Sequence, residues 1–92
     1  MNFEWDITKS ESNKAKHGVS FNFAARVFVD PYRLEAYDDR DWYGEDRWAT
    51  IGFVDPALLY VVYTVRDGDT IRLISARKAN EKERKQYRQV HP

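Results

Sequence analysis

The sequence feature that most constrains the fold is a pair of strand patterns separated by a turn signal. Residues 58–65, LLYVVYTV, are almost continuously apolar and rich in β-branched side chains, which is typical of a central strand covered on both faces. Asp67-Gly68-Asp69 is a hairpin signal, and residues 70–79 alternate as a second strand. We therefore expect the fold to be built around a β-hairpin.

The first third of the chain predicts an edge strand and two helices, at residues 3–5, 7–17 and 21–29. Asp6 and Ser20 are candidate N-caps of the two helices, and Gly18 is suited to the left-handed conformation that ends the first. The first helix is thinly apolar, and Ile7 and Ala15 are its predicted inward positions.

The remainder predicts two further strands and a last helix, at residues 33–38, 48–54 and 81–89. The polar loop 38–46 carries Trp42 and Tyr43, which either bind a partner or fill the loop. Asn80 and Glu83 form a variant of the capping box. The order β-α-α-β-β-β-β-α predicts an α+β fold in one domain, residues 1–92. We expect an antiparallel sheet of four to five strands, with two N-terminal helices and a short C-terminal helix packed mainly on one face.

Charge is unevenly distributed along a chain whose net charge is zero. Residues 30–55 contain three Lys or Arg against eight Asp or Glu, a net charge of −5, whereas residues 66–92 contain eight against four, a net charge of +4. This separation indicates a local basic surface for an anionic partner, or else solvated faces of a salt-bridged domain.

Several classes of protein are excluded or disfavoured by composition. With no cysteine, the chain has neither a disulfide framework nor a thiolate zinc site, which fits a reducing compartment. No apolar run is long enough to span a membrane, and the first residues lack the pattern of a signal peptide. We therefore expect a cytoplasmic protein. The only histidines are His17 and His91, and no recognised metal-binding or nucleotide-binding motif is present, so we expect no metal and no cofactor.

Basic side chains interleaved with tyrosines are the strongest chemical feature of the chain: Arg66, Arg77, Lys78, Arg84 and Arg88 with Tyr60, Tyr63 and Tyr87. Arginine holds phosphate through paired hydrogen bonds and aromatic rings stack on unpaired bases, so the combination suits single-stranded RNA. RNA supplies its own nucleophile, the 2′-hydroxyl, and its cleavage then needs only positioning, a base, an acid and cations. In the competing interpretation, these basic residues are solvent-exposed side chains on the surface of a terminal helix and have no specific role.

Each candidate for proton transfer also has a structural interpretation. His17 either stabilises a helix end beside Gly18 or acts as an acid or base, and Tyr87 either docks the last helix or transfers a proton. Ser75 is either a small packing residue or a polar member of the site. A two-residue turn after residue 66 would place Arg66, Ser75 and Arg77 on one face of the sheet, whereas a three-residue turn would separate Arg66 from the others.

The motifs FEWD at residues 3–6, NKAKHGVSF at 13–21 and ISARKA at 74–79, followed by Glu83, Arg84 and Tyr87, resemble the BrnT toxins of bacterial type II toxin-antitoxin modules. The resemblance runs from residue 3 to residue 87. It implies a RelE-like fold and a metal-independent ribonuclease that inhibits translation. It also implies a BrnA-type antitoxin as partner in a hetero-oligomer, which binds operator DNA only through the antitoxin.

Functional residues follow from the same resemblance by position. Arg66, Ser75, Arg77 and Lys78 match the late-strand motif of the family, and Lys16 and His17 match its KHG motif. The expected catalytic residues are Arg66, Arg77, Ser75, His17 and Tyr87. The expected RNA-binding residues are Lys16, Lys78, Arg84 and Arg88.

Two other functions compete with the ribonuclease. The first is a non-catalytic interaction module, whose basic C-terminal strand and helix bind an acidic protein or a nucleic acid. The second is a DNA-binding regulator, which is less favoured because no recognition helix or basic arm is apparent.

Overall fold

Five strands form one sheet in the computed structural model, which describes residues 1–40 and 42–90. The strands are β1 Asn2–Glu4, β2 Leu34–Tyr37, β3 Trp48–Val54, β4 Ala57–Arg66 and β5 Thr70–Lys78. The α-helices are α1 Ile7–His17, α2 Phe21–Ala24 and α3 Glu81–Val90, and α2 continues into a 3-10 helix at Ala25–Val29. The predicted α+β class and the order of elements are confirmed.

The sheet is mixed, with the strand order β1-β5-β4-β3-β2. Strands β2 to β5 pair antiparallel as predicted, but β1 pairs parallel with β5, so the prediction of a wholly antiparallel sheet is wrong at this edge. The reason is that β1 enters the sheet beside the turn that precedes β5. There the Asn2 N–H donates to the carbonyl of Asp69 at 3.2 Å.

The register of the central hairpin contains two departures from a simple ladder. Arg66 pairs with Thr70, so the turn has three residues. Further along, Tyr63 pairs with Leu73 but Val62 pairs with Ser75, which leaves one extra residue in β5 as a bulge. The two shifts compensate, and Ser75 returns to the face of the sheet that carries Arg66.

One face of the sheet is covered by α2 and its 3-10 extension. Phe21 and Val27 are fully buried there against Leu59 and other apolar side chains of β4 and β5. The close approach requires Gly52 in β3, because a Cβ atom at this position would lie 2.4 Å from Val27 Cγ2. We refer to this side as the helical face and to the other side as the open face.

The helix boundaries follow the local capping signals. The Asp6 carboxylate accepts the Lys9 N–H at 3.1 Å, and the Ser20 hydroxyl accepts the Phe23 N–H at 3.1 Å. Gly18 has φ 75° and its N–H donates to the carbonyl of Lys14. The predicted caps of both N-terminal helices are therefore confirmed.

Helix α1 is attached to the sheet by a polar side chain. The predicted inward positions are wrong, since Ile7 is 71% exposed and Ala15 is exposed, whereas Asn13 is the buried residue of the helix. Asn13 Nδ2 donates to the carbonyls of Ala76 (2.7 Å) and Val19 (2.8 Å), and Asn13 Oδ1 accepts the N–H of Ala76 (3.1 Å). Ala76 directs these backbone groups away from β4, at a point on β5 beyond the reach of β1. The Asn13 side chain therefore makes the hydrogen bonds to Ala76 that a neighbouring strand would otherwise make.

Helix α3 lies on the other side of the molecule from α2. Its residues Gln86, Gln89 and Val90 share a cavity with the open-face side chains of β2, β3 and β4. Only α1 and α2 therefore follow the expectation that the helices pack mainly on one face. Within the part of the chain that the structure describes, no helix has the length and apolar character needed to cross a bilayer.

Replacing Asn13 tests whether its side chain holds α1 in place. We expect Asn13→Ala to lower the free energy of unfolding by about 3 kcal/mol, because three hydrogen bonds are lost and the Ala76 backbone is left buried without partners. The melting temperature should fall by roughly 12 °C or more in a domain of this size. The control is Asn22→Ala, which removes an exposed asparagine of α2. Equal melting temperatures for Asn13→Ala and Asn22→Ala would contradict the assignment.

Candidate functional site

The hydrogen bonds of Asn13 bring the two sequence motifs at residues 13–21 and 74–79 together. Asn13 contacts Ala76, which lies between Ser75 and Arg77 in β5. His17 follows Asn13 by one helical turn, a rise of about 6 Å along α1. The end of α1 therefore lies beside the end of β5, and the candidate site is built from these two ends and the start of α3.

The end of α1 contributes an accessible cationic group. Lys14, Lys16 and His17 occupy its last turn, where positive charge is stabilised by the carbonyl end of the helix dipole. Lys16 is exposed and His17 is half-buried. The Lys78 side chain also leaves β5 on the helical face, because the residue paired with it in β4 is the core residue Leu59.

Arg77 is a basic group of the open face that several contacts hold in place. It pairs with Tyr60 across the ladder, and its guanidinium carbon lies 4.2 Å from the centre of the Tyr60 ring. Its Nη1 and Nη2 donate to Glu83 Oε1 and Oε2, both at 2.8 Å. The hydrogen bonds to Glu83 raise the pKa of Arg77, so the side chain remains cationic.

The hydrogen bonds of Arg77 leave one edge of the guanidinium available. The end of the group is held by Glu83, and Nη1 also donates to the carbonyl of Lys78 at 3.2 Å. The Nε–H and the second Nη2–H have no acceptor within residues 1–40 and 42–90. These two donors point the same way and match the spacing of two phosphate oxygens.

Glu83 joins Arg77 to the start of α3. Its Oε1 accepts the N–H of Asn80 at 2.9 Å, and its own N–H donates to Asn80 Oδ1 at 2.8 Å, which confirms the predicted capping box. Burial raises the pKa of Glu83, but the hydrogen bonds from Arg77 and Asn80 outweigh burial and the net effect is a lowered pKa. Glu83 is therefore an anchored carboxylate with a structural role.

Arg40 is a further open-face arginine, and sequence reasoning missed it. Its Nε and Nη2 donate to Asp38 Oδ1 (2.8 Å) and Oδ2 (2.9 Å), and Asp38 is buried. Its positive charge is close enough to oppose that of Arg77, although Glu83 has the larger effect on the pKa of Arg77. The one sequence signal for Arg40 is that it is a basic residue within the otherwise acidic loop 38–46.

Arg66 lies on the same face as Arg77 but at the other end of β4. Arg77 pairs with Tyr60, six residues before Arg66, which corresponds to about 20 Å along a strand. The Arg66 guanidinium is instead 3.4 Å from Glu45 Oε1. The structure therefore does not bring Arg66 together with the other predicted site residues.

Tyr87 lies one turn beyond Glu83 on α3. Its hydroxyl donates to Asp30 Oδ2 at 2.7 Å, which attaches α3 to the segment after the 3-10 helix. Burial and this hydrogen bond raise the pKa of the hydroxyl to about 12. The phenol is therefore neutral near pH 7, and it is better suited to donate a hydrogen bond than to accept a proton.

The other predicted site residues, Ser75, Arg84 and Arg88, differ in burial and in hydrogen-bond partners. Ser75 is half-buried on the open face, opposite Val62. Arg84 donates to the carbonyl of Ala79 (2.7 Å) and to Glu81 (2.8 Å), and Arg88 lies 3.5 Å from Glu81. Both arginines of α3 are therefore paired at the helix surface.

The arrangement suits the binding of a phosphate group on the open face, where Arg77 and Arg40 provide cations. The end of α1, with His17, lies at the edge of β5 on the helical side. Across the described ranges, no group of three His, Asp or Glu side chains converges to hold a metal ion, and His91 lies outside those ranges.

Comparisons with known proteins agree with the sequence resemblance. A family model described as "Ribonuclease toxin, BrnT, of type II toxin-antitoxin system" matches residues 5–83. The fold is similar to the 1.1 Å crystal structure of the Brucella abortus ribonuclease toxin BrnT, with a TM-score of 0.67 and 24% sequence identity. The alignment covers 88% of this chain and 99% of the Brucella chain. A search of well-characterised protein sequences gave no significant match.

The ion pair of Glu83 should make stability depend on pH. The pKa of Glu83 is lowered in the folded state from an ordinary value of 4.5, so its contribution is complete above pH 4.5 and is lost as the pH falls through the lower folded value. We expect the wild type to be more stable than Glu83→Gln by about 2 kcal/mol at pH 7. This gap should close towards pH 3.

Unfolding by urea at a series of pH values measures the gap. Glu11→Gln, which removes an exposed carboxylate of α1, controls for the loss of one negative charge. A gap between the wild type and Glu83→Gln that is the same at pH 3 and pH 7 would show that the ionised carboxylate is not the stabilising group.

Proposed function

Because the chain belongs to the BrnT family of ribonuclease toxins from type II toxin-antitoxin systems, we propose that it is a metal-independent endoribonuclease. We propose further that a BrnA-type antitoxin neutralises it. The observation that carries the proposal is the free edge of the Arg77 guanidinium, held by Glu83 over the Tyr60 ring on the open face. The relationship to RelE toxins stays a prediction.

The proposed reaction is an in-line displacement at one phosphorus atom of RNA. The 2′-hydroxyl loses its proton and its oxygen attacks the adjacent phosphorus, while the bond from phosphorus to the 5′-oxygen breaks. The leaving oxygen takes up a proton, and the products are a 2′,3′-cyclic phosphate and a 5′-hydroxyl. The reaction consumes no water and needs no redox partner.

Arg77 is proposed to hold the scissile phosphate. Its Nε–H and Nη2–H would donate to two phosphate oxygens, and its charge would stabilise the extra negative charge that develops during attack. Tyr60 and Glu83 keep the guanidinium in place, so the donors need no reorganisation when RNA binds. Arg40 would add a second positive charge on the same face.

Proton transfer is assigned to the end of α1. A histidine is the side chain best suited to exchange protons near neutral pH, and His17 lies one turn from the contact between Asn13 and Ala76. Ser75 would orient the substrate, and Lys16 and Lys78 would attract flanking phosphates. Tyr87 is proposed to position α3, because its hydroxyl is already bonded to Asp30.

The alternative function is a non-catalytic interaction module. The observation in its favour is that the arginines of this region are engaged in ion pairs: Arg77 with Glu83, and Arg84 and Arg88 with Glu81. A surface whose arginines are already in ion pairs suits the binding of a partner without catalysis of a reaction. The two functions differ in whether RNA is cut by the purified protein.

Arg77→Ala should lower the rate of RNA cleavage about a hundredfold, because a preorganised cation at the phosphate is removed. Arg77→Lys should restore little of the rate, since lysine offers one point charge where arginine offers two parallel donors. The matched control is Arg72→Ala, which removes an arginine from the same strand and face that is paired with Glu4. If the Arg77 and Arg72 variants cleave equally fast, the assigned phosphate site is wrong.

The nucleophile is tested with a short RNA that carries a single 2′-deoxy substitution at the cleaved position. In buffer with EDTA, the all-ribose RNA should yield fragments that end in a 2′,3′-cyclic phosphate, and the substituted RNA should stay intact. Cleavage of the substituted RNA at the same position would exclude the 2′-hydroxyl as nucleophile. A purified chain that leaves both RNAs intact, with and without added Mg²⁺, would favour the interaction module.

A further inference from the structure

Strand β2 has a free edge along one side of the sheet. It is the terminal strand of the sheet order, and its residues Glu35, Ala36 and Tyr37 are exposed. The Asp38 N–H donates to the carbonyl of Arg47, and backbone groups alternate in direction along an antiparallel strand. The N–H and C=O groups of Glu35 and Tyr37 therefore point away from β3, and they have no partner among the described residues.

A groove runs beside this edge on the open face. It has a volume of about 480 Å³, within the range of ligand pockets, and lies between the sheet and α3. The sheet contributes an apolar floor at Leu34, Ala36, Ala49, Ile51 and Tyr60, and the residues after β2 add Asp38, Asp39 and Arg40 to the lining. The α3 wall is uncharged, with Gln86, Gln89 and Val90.

The two sides of β2 differ in chemistry. Leu34 and Ala36 face the groove, because they pair with Ile51 and Ala49 of its floor. Glu35 and Tyr37 face the helical side, and the Glu35 carboxylate accepts hydrogen bonds from Arg33 and from the Tyr63 hydroxyl. The surrounding segment 30–55 carries a net charge of −5. A strand added at this edge would therefore meet apolar side chains on one face and acidic surroundings on the other.

We propose that a segment of the antitoxin adds to β2 as a sixth strand, with alternating apolar and basic residues. Its backbone pairs with Glu35 and Tyr37, its apolar side chains fill the groove over Ala36, and its Lys or Arg side chains lie near Glu35. The inference rests on the proposed function, because that function supplies a protein partner.

Charge favours this occupant over two others. RNA phosphates would meet the carboxylates of Asp38 and Asp39 in the groove, and Arg40, the one cationic residue among the described residues of its lining, is already paired with Asp38. A second copy of the chain would bring two segments of net charge −5 together at the same edge. A protein segment with basic residues and apolar anchors complements both the acidic surroundings and the apolar floor of the groove.

The test uses the full chain and the protein encoded by the neighbouring reading frame. Ala36→Arg places a charged side chain in the groove and should weaken binding of that protein by roughly tenfold or more. Ala15→Arg makes the same change at an exposed alanine of α1 and should bind like the wild type. Growth inhibition without the antitoxin should persist in both variants, and rescue by the antitoxin should fail for Ala36→Arg.

Amide hydrogen exchange reports the strand pairing directly. In the free chain the amides of Glu35 and Tyr37 should exchange quickly, and in the complex they should slow by about a hundredfold or more. The Asp38 amide, already bonded to Arg47, is the internal reference. This measurement needs no variant and is therefore independent of any folding defect.

The outcomes separate the inference from the proposed function. If the neighbouring protein binds and rescues the wild type and Ala36→Arg equally, with no slowing at Glu35 and Tyr37, antitoxin docking at β2 is wrong and the toxin assignment stands. If Ala36→Arg changes RNA cleavage or self-association while antitoxin binding is unchanged, the groove belongs to RNA or to a second copy. If the neighbouring protein does not bind and the wild type is not toxic, the proposed function fails and the docking site with it.

Discussion

The attachment of Asn13 to Ala76 is the interaction on which the arrangement of the candidate site depends. Strand β1 covers only the first three residues of β5, so the later backbone groups of β5 on that edge need other partners. Helix α1 has too few apolar residues to be held by packing, and its Ile7 side chain is mostly exposed. One amide side chain therefore completes the strand edge and positions the helix. The end of α1 and the end of β5 meet for this reason.

Local chemistry made most of the fold predictable. Caps at Asp6 and Ser20, the left-handed Gly18 and the alternation in the strands act within a few residues, and the structure contains the caps and strands that they predict. The second helix is α-helical only at Phe21–Ala24 and continues as a 3-10 helix. The burial of Asn13 depends on an unpaired backbone far along the chain, so no local pattern indicates it. The parallel pairing of β1 is also set by distant residues and was missed.

The candidate site was less predictable because it depends on register and on length along a strand. The three-residue turn and the bulge each shift the register by one residue, and their combined effect keeps Arg66 and Arg77 on one face. Being on one face does not bring two residues together, since six residues of β4 separate them. Arg40 comes from the acidic loop, where an arginine is more simply explained as a partner for carboxylates. Charge counted along the sequence therefore overestimates the number of groups that meet.

Tyr60 connects the proposed chemistry with the proposed docking surface. Its ring supports the guanidinium of Arg77, and the same residue forms part of the groove floor beside β2. A segment that fills the groove would contact Tyr60 and Arg40, two residues that the proposed phosphate site also uses. Binding of RNA and binding of the antitoxin would then exclude each other, and each would reduce the affinity for the other by the same factor. On this proposal neutralisation requires no change of fold, because the inhibitor occupies a surface that borders the phosphate site.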